Sequence, residues 1–226
     1  MGLGAKLDAQ QLDRFDTYMN MLLDWRERFN LTAISDPQEV ALKHFADSLS
    51  LVPYIGGVQS AVDVGTGAGF PGLPLKIAVP ELEITLLDAV NKRVGFLNAV
   101  IEALELTGIR AVHIRAEDAA RTAEHREAYD LAVSRAVAAL PVLAEYALPL
   151  VRPGGKFIAM KGPDVREEER SAQAAVLALG GGNSSVISVE IPRAGIVRSL
   201  IIISKLSHTA PRFPRKASQI AKRPIV

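Results

Sequence analysis

Asp63-Val64-Gly65-Thr66-Gly67-Ala68-Gly69-Phe70-Pro71-Gly72 is the stretch that decides the fold. It follows a short apolar segment that predicts a strand and precedes a segment that predicts a helix ending near Val79. Glycines at such a turn let the backbone bend tightly and approach a ligand closely. Turns of this kind are typical of nicotinamide, flavin and nucleoside sites alike. No Gly-Lys-Ser/Thr sequence follows at the spacing of a Walker loop, so a phosphate-binding loop of that class is excluded.

Strand and helix patterns alternate on the carboxyl side of this turn. The predicted strands cover residues 60–64, 82–87, 109–114, 129–134, 155–161, 185–191 and 197–205. The predicted helices after the first turn cover residues 91–106, 140–150 and 164–179. Alternation of this kind predicts an α/β fold with a mostly parallel sheet and helices on both faces. The last two strands are separated only by a short turn, so we expect them to form an antiparallel pair at one edge.

Two further segments flank the predicted α/β domain, which we place at residues 59–206. Residues 1–58 form a predicted helical extension with an amphipathic helix over 8–28. A second helix is predicted from the N-cap Asp36 to about Leu51, with Pro37 in its first turn and Glu39 in a capping-box-like pair. Residues 207–226 contain three prolines and many polar residues, and they predict an extended tail.

The composition excludes several kinds of site. The chain of 226 residues has no cysteine, so disulfides, thiolate metal sites and cysteine nucleophiles are excluded. Four scattered histidines argue against a metal centre. No apolar run approaches the roughly 20 residues of a membrane span, and the N-terminal sequence lacks the apolar core of a signal peptide. We therefore expect a cytoplasmic protein without membrane contact, and a monomer.

The net charge of +1 hides an uneven distribution of charge. Residues 191–226 contain eight lysines and arginines and no acidic residue, whereas the rest of the chain is mildly acidic. Basic tails often bind polyanions such as nucleic acid. A solvated terminus that only aids solubility is the alternative.

Two carboxylates indicate the kind of nucleoside that the turn would bind. Asp63 would oppose the pyrophosphate of a dinucleotide, but it suits the ammonium and sulfonium of S-adenosylmethionine. Its alternative role is to cap the end of the strand. Asp88 ends the second predicted strand, where a carboxylate can accept hydrogen bonds from both ribose hydroxyls, and Ala89 and Val90 would line the ribose–adenine side. NAD shares this feature, and Asp88 could instead cap the helix that follows.

Polar residues at the ends of the next three strands extend the candidate site. Glu117, or the backbone near it, could accept a hydrogen bond from the adenine amino group, as could Asp118, although the pair could equally begin a solvated helix. Arg135 follows the fourth strand, where the methyl group and its acceptor should meet, with a structural ion pair as the alternative. Lys161 ends the fifth strand and could contact a phosphate or a base, or could be an ordinary surface lysine.

The chain resembles the ribosomal RNA small-subunit methyltransferase G family, also called glucose-inhibited division protein B. The resemblance covers most of the chain, in order. The matching motifs are Trp25…Phe29-Asn30-Leu31-Thr32-Ala33-Ile34, His44…Asp47-Ser48-Leu49, the glycine-rich stretch from Asp63 to Ile77, Leu86-Leu87-Asp88…Lys92-Arg93…Phe96-Leu97, Arg115-Ala116-Glu117, Tyr129-Asp130…Ser134-Arg135-Ala136-Val137-Ala138 and Lys161-Gly162. The tail departs from the family pattern Arg-Lys-x-Gly-x-Pro-x-Lys, because the segment 215–222 keeps the basic residues but has neither the glycine nor the proline.

The resemblance implies a class I S-adenosylmethionine-dependent methyltransferase fold, which is Rossmann-like with a seven-stranded sheet, and an N-terminal helical extension. It implies methylation of guanine N7 at position 527 of 16S ribosomal RNA, with that RNA or the small ribosomal subunit as the partner. The positions of this sequence that match the cofactor contacts of the family are Gly65, Phe70, Asp88, Ala89, Val90, Ala116, Glu117 and Arg135. We add Gly67 because it lies in the glycine-rich turn. The residues that we expect to bind RNA are Lys92, Arg93, Lys161, Arg212, Arg215, Lys216, Lys222 and Arg223.

The implied reaction needs no general base. Guanine N7 holds an in-plane lone pair and no proton, so in-line approach to the methyl group is sufficient. We expect Arg135 and Lys161 to shape the acceptor side, and we assign no catalytic residue. The alternatives are an NAD-dependent oxidoreductase, a non-catalytic RNA-binding module on a methyltransferase fold, and a small-molecule methyltransferase.

Overall fold

The computed structural model describes residues 6–29 and 31–225 of the chain. Asn30, which belongs to one of the motifs quoted above, and residues 1–5 of the N-terminal segment lie outside the described residues. Within those described ranges, no helix is long and apolar enough to cross a membrane.

Seven strands form one sheet in the order β3-β2-β1-β4-β5-β7-β6. The strands are β1 (Ser60–Val64), β2 (Glu83–Asp88), β3 (Ile109–His113), β4 (Tyr129–Arg135), β5 (Val151–Lys161), β6 (Gly181–Ile191) and β7 (Ile196–Lys205). The first five strands pair in parallel, and β7 is antiparallel to both β5 and β6. The predicted α/β fold and the antiparallel pair at one edge are therefore confirmed.

Helices cover both faces of the sheet. They are α1 (Ala9–Phe29), α2 (Pro37–Val40), α3 (Asp47–Leu49), α4 (Gly72–Ala78), α5 (Asn91–Ala103), α6 (Ala116–Ala119), α7 (Leu140–Ala147), α8 (Arg166–Ser171), α9 (Gln173–Ala178) and α10 (Ala217–Lys222). Because successive strand residues point to opposite faces, the apolar side chains form two cores. One core packs the sheet against α1, α4 and α5, with Tyr18 and Phe96 at its centre. The other packs it against α7 and α9 around Phe157.

Two strands are longer than predicted, and one predicted helix is broken. β5 begins at Val151 and β6 begins at Gly181. The sequence predicted turns there because these segments contain glycines and a proline, but backbone pairing of β5 with β4 and of β6 with β7 extends both strands through them. The helix predicted over residues 164–179 is two short helices, α8 and α9, which meet at the buried Ala172.

The second helix of the extension begins as predicted but is not a regular α-helix. Asp36 is the N-cap, and its Oδ1 accepts from the backbone N–H of Glu39 at 2.9 Å. A capping box would require the Glu39 carboxylate to accept a hydrogen bond from the backbone N–H of Asp36. Instead, this carboxylate accepts a hydrogen bond from Lys43 Nζ at 2.6 Å. Between α2 and α3 the chain forms a π-helical turn, Ala41–Ala46. Such turns often occur at functional sites.

The prediction of an extended tail is wrong. The tail folds back on α7 and ends in α10, and Phe213 and Ile220 are buried. The guanidinium of Arg126 donates to the carbonyl oxygens of Thr209 at 2.7 Å and Phe213 at 2.9 Å. The prolines that predicted an extended conformation therefore lie in a segment that tertiary contacts fix in place.

A buried ion pair anchors this docked tail. The Glu145 side chain on α7 has no exposed surface, and its Oε2 accepts from Arg215 Nη2 at 2.6 Å. Glu145 Oε1 also accepts from the backbone N–H and from Nε of Arg215, at 2.7 and 2.9 Å. Removing one partner of such a pair leaves an uncompensated buried charge.

We expect Arg215→Met to lower the free energy of unfolding by about 3 kcal/mol, because Glu145 then stays buried without its cation. Urea unfolding followed by circular dichroism measures this loss. The double variant Glu145→Gln/Arg215→Met removes both charges and should recover most of the stability. Equal destabilisation by the single and double variants would show that the charge pair does not anchor the tail.

Candidate functional site

The carboxyl ends of β1, β2 and β4 lie side by side and border one cleft, as expected for adjacent parallel strands. A pocket of about 150 Å³ opens there. It is lined by Val64, Gly65, Leu87, Asp88, Ala89, Ile114, Arg115, Ala116, Glu117, Val137 and Tyr146. A larger cavity of about 440 Å³ lies at the opposite edge, near the amino ends of the strands, and contains none of the predicted site residues. The smaller pocket is therefore the candidate site.

The glycine turn is held against β2 by its own backbone. The N–H groups of Gly65 and Thr66 donate to the Leu87 carbonyl oxygen at 3.0 and 3.1 Å. Gly65 and Gly67 have φ values of +69° and +62°, in the left-handed region that glycine adopts without strain. A Cβ added at Gly65 would meet Val137 Cγ2 at 2.8 Å, whereas none of the described atoms lies within 4 Å of one added at Gly67. The turn therefore presents open backbone at Gly67 to a ligand.

Asp63 binds the other end of this turn through one carboxylate oxygen, while its second carboxylate oxygen has no partner in the described part of the chain. Its Oδ2 accepts from Thr66 Oγ1 at 2.6 Å and from the backbone N–H of Gly72 at 2.8 Å. Its Oδ1 is buried and has no hydrogen-bond partner among the described residues. Burial raises the pKa of this carboxyl to about 6, although the hydrogen bonds from Thr66 and Gly72 lower it. Asp63 thus caps the strand, as the alternative proposed, and it keeps one unsatisfied acceptor, which is buried behind the pocket lining rather than part of it.

Asp88 joins the turn to the start of α5. Its Oδ2 accepts from the backbone N–H of Gly67 at 2.9 Å, and its Oδ1 accepts from that of Val90 at 2.8 Å. Arg93 Nη1 lies 3.5 Å from Oδ2. Each carboxylate oxygen has two lone pairs, so Oδ1 of Asp88 can accept a further hydrogen bond, and Oδ2 can do so in place of its long contact with Arg93. The N-cap of α5 is Val90, so Asp88 is not the helix cap of the alternative reading.

The two candidate acceptors for adenine, Glu117 and Asp118, lie after β3 and are placed differently. Glu117 is buried and lines the pocket beside Ala116, while Asp118 is exposed and lies outside it. Burial raises the pKa of the neighbouring Tyr146, and the Glu117 charge raises it further. Of the two, only Glu117 is placed to face a ligand in the pocket.

Arg135 is fixed by the helical extension. Its Nη1 donates to the Lys43 carbonyl oxygen at 3.2 Å and to Asp47 Oδ2 at 3.1 Å. Its Nη2 lies 3.1 Å from His44 Nδ1, and its Cζ lies 4.8 Å from the centre of the Phe70 ring. Asp47 has no exposed surface, so the alternative of a structural ion pair is confirmed.

His44 completes this group and has both ring nitrogens engaged. Nδ1 faces Arg135, so it must accept, and Nε2 then donates to Thr32 Oγ1 at 2.8 Å. The ring stacks on Phe70 with centroids 4.5 Å apart. Burial, together with the Arg135 charge, lowers the pKa of His44 to about 4. His44 is therefore neutral near pH 7 and has no free lone pair with which to accept a proton.

Several predicted contacts do not line the pocket. Phe70 is buried under Arg135 and His44, in an aromatic cluster that includes Tyr18. Lys161 Nζ donates to the Ala138 carbonyl oxygen at 2.6 Å and to Glu168 Oε1 at 2.7 Å, so it is neither a free surface lysine nor directed at the pocket. The predicted cofactor contacts that lie outside the pocket lining are Gly67, Phe70, Val90 and Arg135.

Six lining residues were not among the predicted contacts: Val64, Leu87, Ile114, Arg115, Val137 and Tyr146. Val137 and Ile114 follow the ends of β4 and β3, and Tyr146 projects from α7. Because Val137 follows Arg135 at the end of β4, its position in the sequence could have indicated that it lines the pocket. Tyr146 carries no such signal, because an aromatic residue in an amphipathic helix usually packs in a core.

The residues expected to bind RNA fall into two groups. Some are already engaged within the protein: Lys92 with the Phe29 ring, Arg93 with Asp88, Lys161 with Glu168, Arg212 with the Phe213 ring and Arg215 with Glu145. The others, Lys216, Lys222 and Arg223, are exposed on the docked tail. Among residues 6–29 and 31–225, no group of three or more His, Cys, Asp or Glu side chains is placed to hold a metal ion.

Comparison with known proteins identifies close relatives of the chain. The model of the family described as rRNA small subunit methyltransferase G matches residues 11–197. The chain is 48% identical over 225 residues to the ribosomal RNA small subunit methyltransferase G of Acetivibrio thermocellus, covering 99% of this chain and 93% of that protein. It is 48% identical over 221 residues to the protein of the same name from Desulforamulus reducens, covering 97% and 92%. The resemblance drawn from the sequence motifs is therefore confirmed.

Solved structures share the fold at low sequence identity. The O-methyltransferase from Bacillus cereus in complex with SAH superposes with a TM-score of 0.59 at 20% identity, over 84% of this chain and 91% of that one. The S-adenosylmethionine-dependent methyltransferase SibL superposes with a TM-score of 0.55 at 17% identity, over 69% and 52%. These likenesses show that the fold is that of class I methyltransferases.

The raised pKa of Asp63 predicts how stability depends on pH. Folding raises this pKa from 3.8 to about 6, so the folded state holds the proton more tightly than the unfolded state. The contribution of Asp63 to stability therefore falls as pH rises from about 4 to about 6 and stays low above that. Relative to Asp63→Asn, which cannot ionise, the wild-type protein should lose about 2 to 3 kcal/mol across this window.

Urea unfolding of both proteins at several pH values from 4 to 8 measures this difference. The comparison cancels the other titrating groups, including His44, whose lowered pKa acts in the opposite direction. A difference in unfolding free energy that does not change with pH would contradict the raised pKa.

Proposed function

Because the chain belongs to the rRNA small subunit methyltransferase G family, we propose that it transfers the methyl group of S-adenosylmethionine to 16S ribosomal RNA. The position is N7 of guanine 527, and the partner is that RNA or the small ribosomal subunit that contains it. This substrate implies a cytoplasmic enzyme. The observation that carries the proposal is the unsatisfied, buried Oδ1 of Asp63 beside an open glycine turn.

The polar groups at this site suit S-adenosylmethionine, which would supply a methyl group on a positively charged sulfonium. An ammonium group of this cofactor would satisfy the orphaned Oδ1 of Asp63 and remove the cost of leaving it buried. The open backbone at Gly67 leaves room for the cofactor above the turn. The spare lone pairs of Asp88 suit the ribose hydroxyls, and Glu117 with Ala116 would border the adenine.

The acceptor side favours positioning over proton transfer. Guanine N7 carries no proton, so the base must only approach the methyl group in line. His44, which contacts Arg135 on this side of the cleft, is neutral and has both ring nitrogens engaged. Arg135 is held rigid by Lys43, Asp47 and His44, and it contributes a fixed positive charge at this flank of the cleft.

The alternative functions are less compatible with these contacts. An NAD-dependent oxidoreductase would place a pyrophosphate against the same turn, where the Asp63 carboxylate is already unsatisfied and would repel it. A non-catalytic RNA-binding module would have no need of the paired acceptors at Asp63 and Asp88. A small-molecule methyltransferase is disfavoured by membership of the family.

Mapping of methyl transfer tests the proposal. We expect radiolabelled S-adenosylmethionine to label a single guanine of 16S RNA in unmethylated small subunits, at N7, which chemical cleavage at that base detects. Asp88→Ala serves as the matched control and should lose transfer at the same cofactor concentration. Label at another base, or binding of NADH in preference to S-adenosylhomocysteine, would contradict the proposed reaction.

The single-turnover rate of methyl transfer should not change with pH between about pH 7 and pH 9. Neither guanine N7 nor the sulfonium titrates in this range, and Arg135 stays charged. His44→Gln should keep the same flat profile. Rapid-quench measurement at saturating RNA and cofactor checks this. A fall of about 100-fold or more in the rate of His44→Gln would show that His44 is a general base, because a base with a pKa of about 4 is already deprotonated across this pH range.

A further inference from the structure

A second pocket adjoins the cofactor pocket, at the junction of α6 with the docked tail. Its volume is about 350 Å³. It is lined by Arg115, Glu117, Asp118, Arg121, Arg215, Lys216 and Ala217. Arg115 and Glu117 line both pockets, so the two share a wall. We refer to this second cavity as the tail pocket.

The tail pocket gathers cations that the rest of the protein does not neutralise. Within residues 6–29 and 31–225, neither Arg115 nor Lys216 forms an ion pair or a side-chain hydrogen bond. Arg121 donates only to the carbonyl oxygen of Pro214 in the tail. Arg215 is different, since the buried carboxylate of Glu145 compensates its charge. Three cations therefore share this pocket with the carboxylates of Glu117 and Asp118, which leaves a net charge of +1 when the pair of Arg215 with Glu145 is set aside.

The docking of the tail is what brings these charges together. Arg115 and Arg121 belong to the segment around α6, whereas Lys216 lies about a hundred residues later in the chain and is the N-cap of α10. The adjacent Arg215 is anchored to Glu145, and Ile220 of α10 is buried. Lys216 is thus held at the pocket by contacts on both sides of it, while its own side chain stays exposed.

Because the cations of the tail pocket outnumber its carboxylates, an anion bound between them would lower the repulsion among the cations. Arginine and lysine bind phosphate well, because the guanidinium donates in a planar fork and the ammonium adds a point charge. Arg115, Arg121, Asp118 and Lys216 are all exposed, so the pocket is open enough for a polymer to cross it.

We propose that the tail pocket binds a backbone phosphate of the substrate RNA next to the bound cofactor. The proposal deepens the proposed function and rests on it. Arg115, Arg121 and Lys216 contact the phosphate, and the docked tail forms part of a rigid surface that positions the RNA. Arg115 lines both pockets, so this arrangement places the phosphate next to the cofactor's adenine side.

Lys216→Gln tests this site without touching the cofactor pocket. It should weaken binding to small subunits about three- to tenfold at low salt and reduce the slope of log K against log salt by about 0.7 to 0.9, as expected for the loss of one phosphate contact. Affinity for S-adenosylhomocysteine and the melting temperature should not change. Arg193→Gln, which removes the same charge from the exposed turn between β6 and β7, is the matched control and should leave the salt slope unchanged.

Asp118→Asn supplies a result that loss of structure could not produce. Removing this negative charge from the tail pocket should strengthen binding to small subunits, since Asp118 repels the phosphate. If Lys216→Gln and Arg193→Gln lower affinity equally, or if Asp118→Asn has no effect, the pocket does not bind RNA phosphate.

Competition separates a phosphate of the RNA from a free phosphate compound. Inorganic phosphate at constant ionic strength should compete weakly and equally with the wild-type protein and with Lys216→Gln. Strong competition by inorganic phosphate that Lys216→Gln abolishes would assign the pocket to a free anion and overturn the proposal. If the wild-type protein neither binds nor methylates small subunits, the proposed function fails; if it does both and the variants behave like it, only the tail pocket is wrong.

Discussion

Asp63 places a carboxylate with no exposed surface at the end of β1, where its Oδ2 accepts from the Thr66 hydroxyl and from the backbone N–H of Gly72. These two bonds fix both ends of the glycine turn, and the start of α4 with it. Once the turn is fixed, Gly67 reaches Asp88, and the ribose side of the pocket forms from the same contact. The cost of this arrangement is an unsatisfied Oδ1, which the cofactor's ammonium would satisfy. The acid that organises the turn is thus also the acid that favours this ligand over a pyrophosphate.

The helical extension forms part of the site rather than a separate unit. Tyr18 of α1 donates its hydroxyl to the Ala68 carbonyl oxygen inside the glycine turn. On the acceptor flank, the buried Asp47 binds Arg135 of β4 through one oxygen and Arg198 of β7 through the other, at 3.1 and 2.9 Å. A single carboxylate therefore connects the extension, the centre of the sheet and its antiparallel edge. The π-helical turn that precedes Asp47 carries His44 and the Lys43 carbonyl to the same guanidinium.

The tail is held by buried charges rather than by apolar contacts alone. Besides the pair between Arg215 and Glu145, the fully buried Lys205 at the end of β7 donates to the hydroxyl of Thr209 in the tail. Lys205 also donates to the Leu148 carbonyl oxygen at 2.7 Å and lies 3.3 Å from Glu127 Oε1, which itself accepts from the backbone N–H of Thr209 at 2.6 Å. Burial lowers the pKa of Lys205 to about 8, although Glu127 acts to raise it. Several of the basic residues that give this end of the chain its charge are therefore structural. The cations that remain free, such as Lys216, are displayed on a fixed surface, which favours defined contacts with RNA over loose attraction.

The sequence by itself determined the alternation of strands and helices, the glycine turn and the two acids that flank it. These signals are local: a strand end, a positive φ and a carboxylate are specified by residues a few positions apart. The motifs of the family extended the prediction from the fold to the cofactor and the substrate. Only the tertiary structure decided that Lys161 and Arg135 are bound within the protein, that Tyr146 borders the pocket and that the prolines of the tail do not keep it extended. Each of these outcomes depends on a partner distant in sequence, such as Asp47 for Arg135 or Glu145 for Arg215, and on burial that makes the pair necessary. Hydrophobic periodicity and turn residues carry no information about such pairs, because the free energy of a buried charge depends on which other segment folds against it.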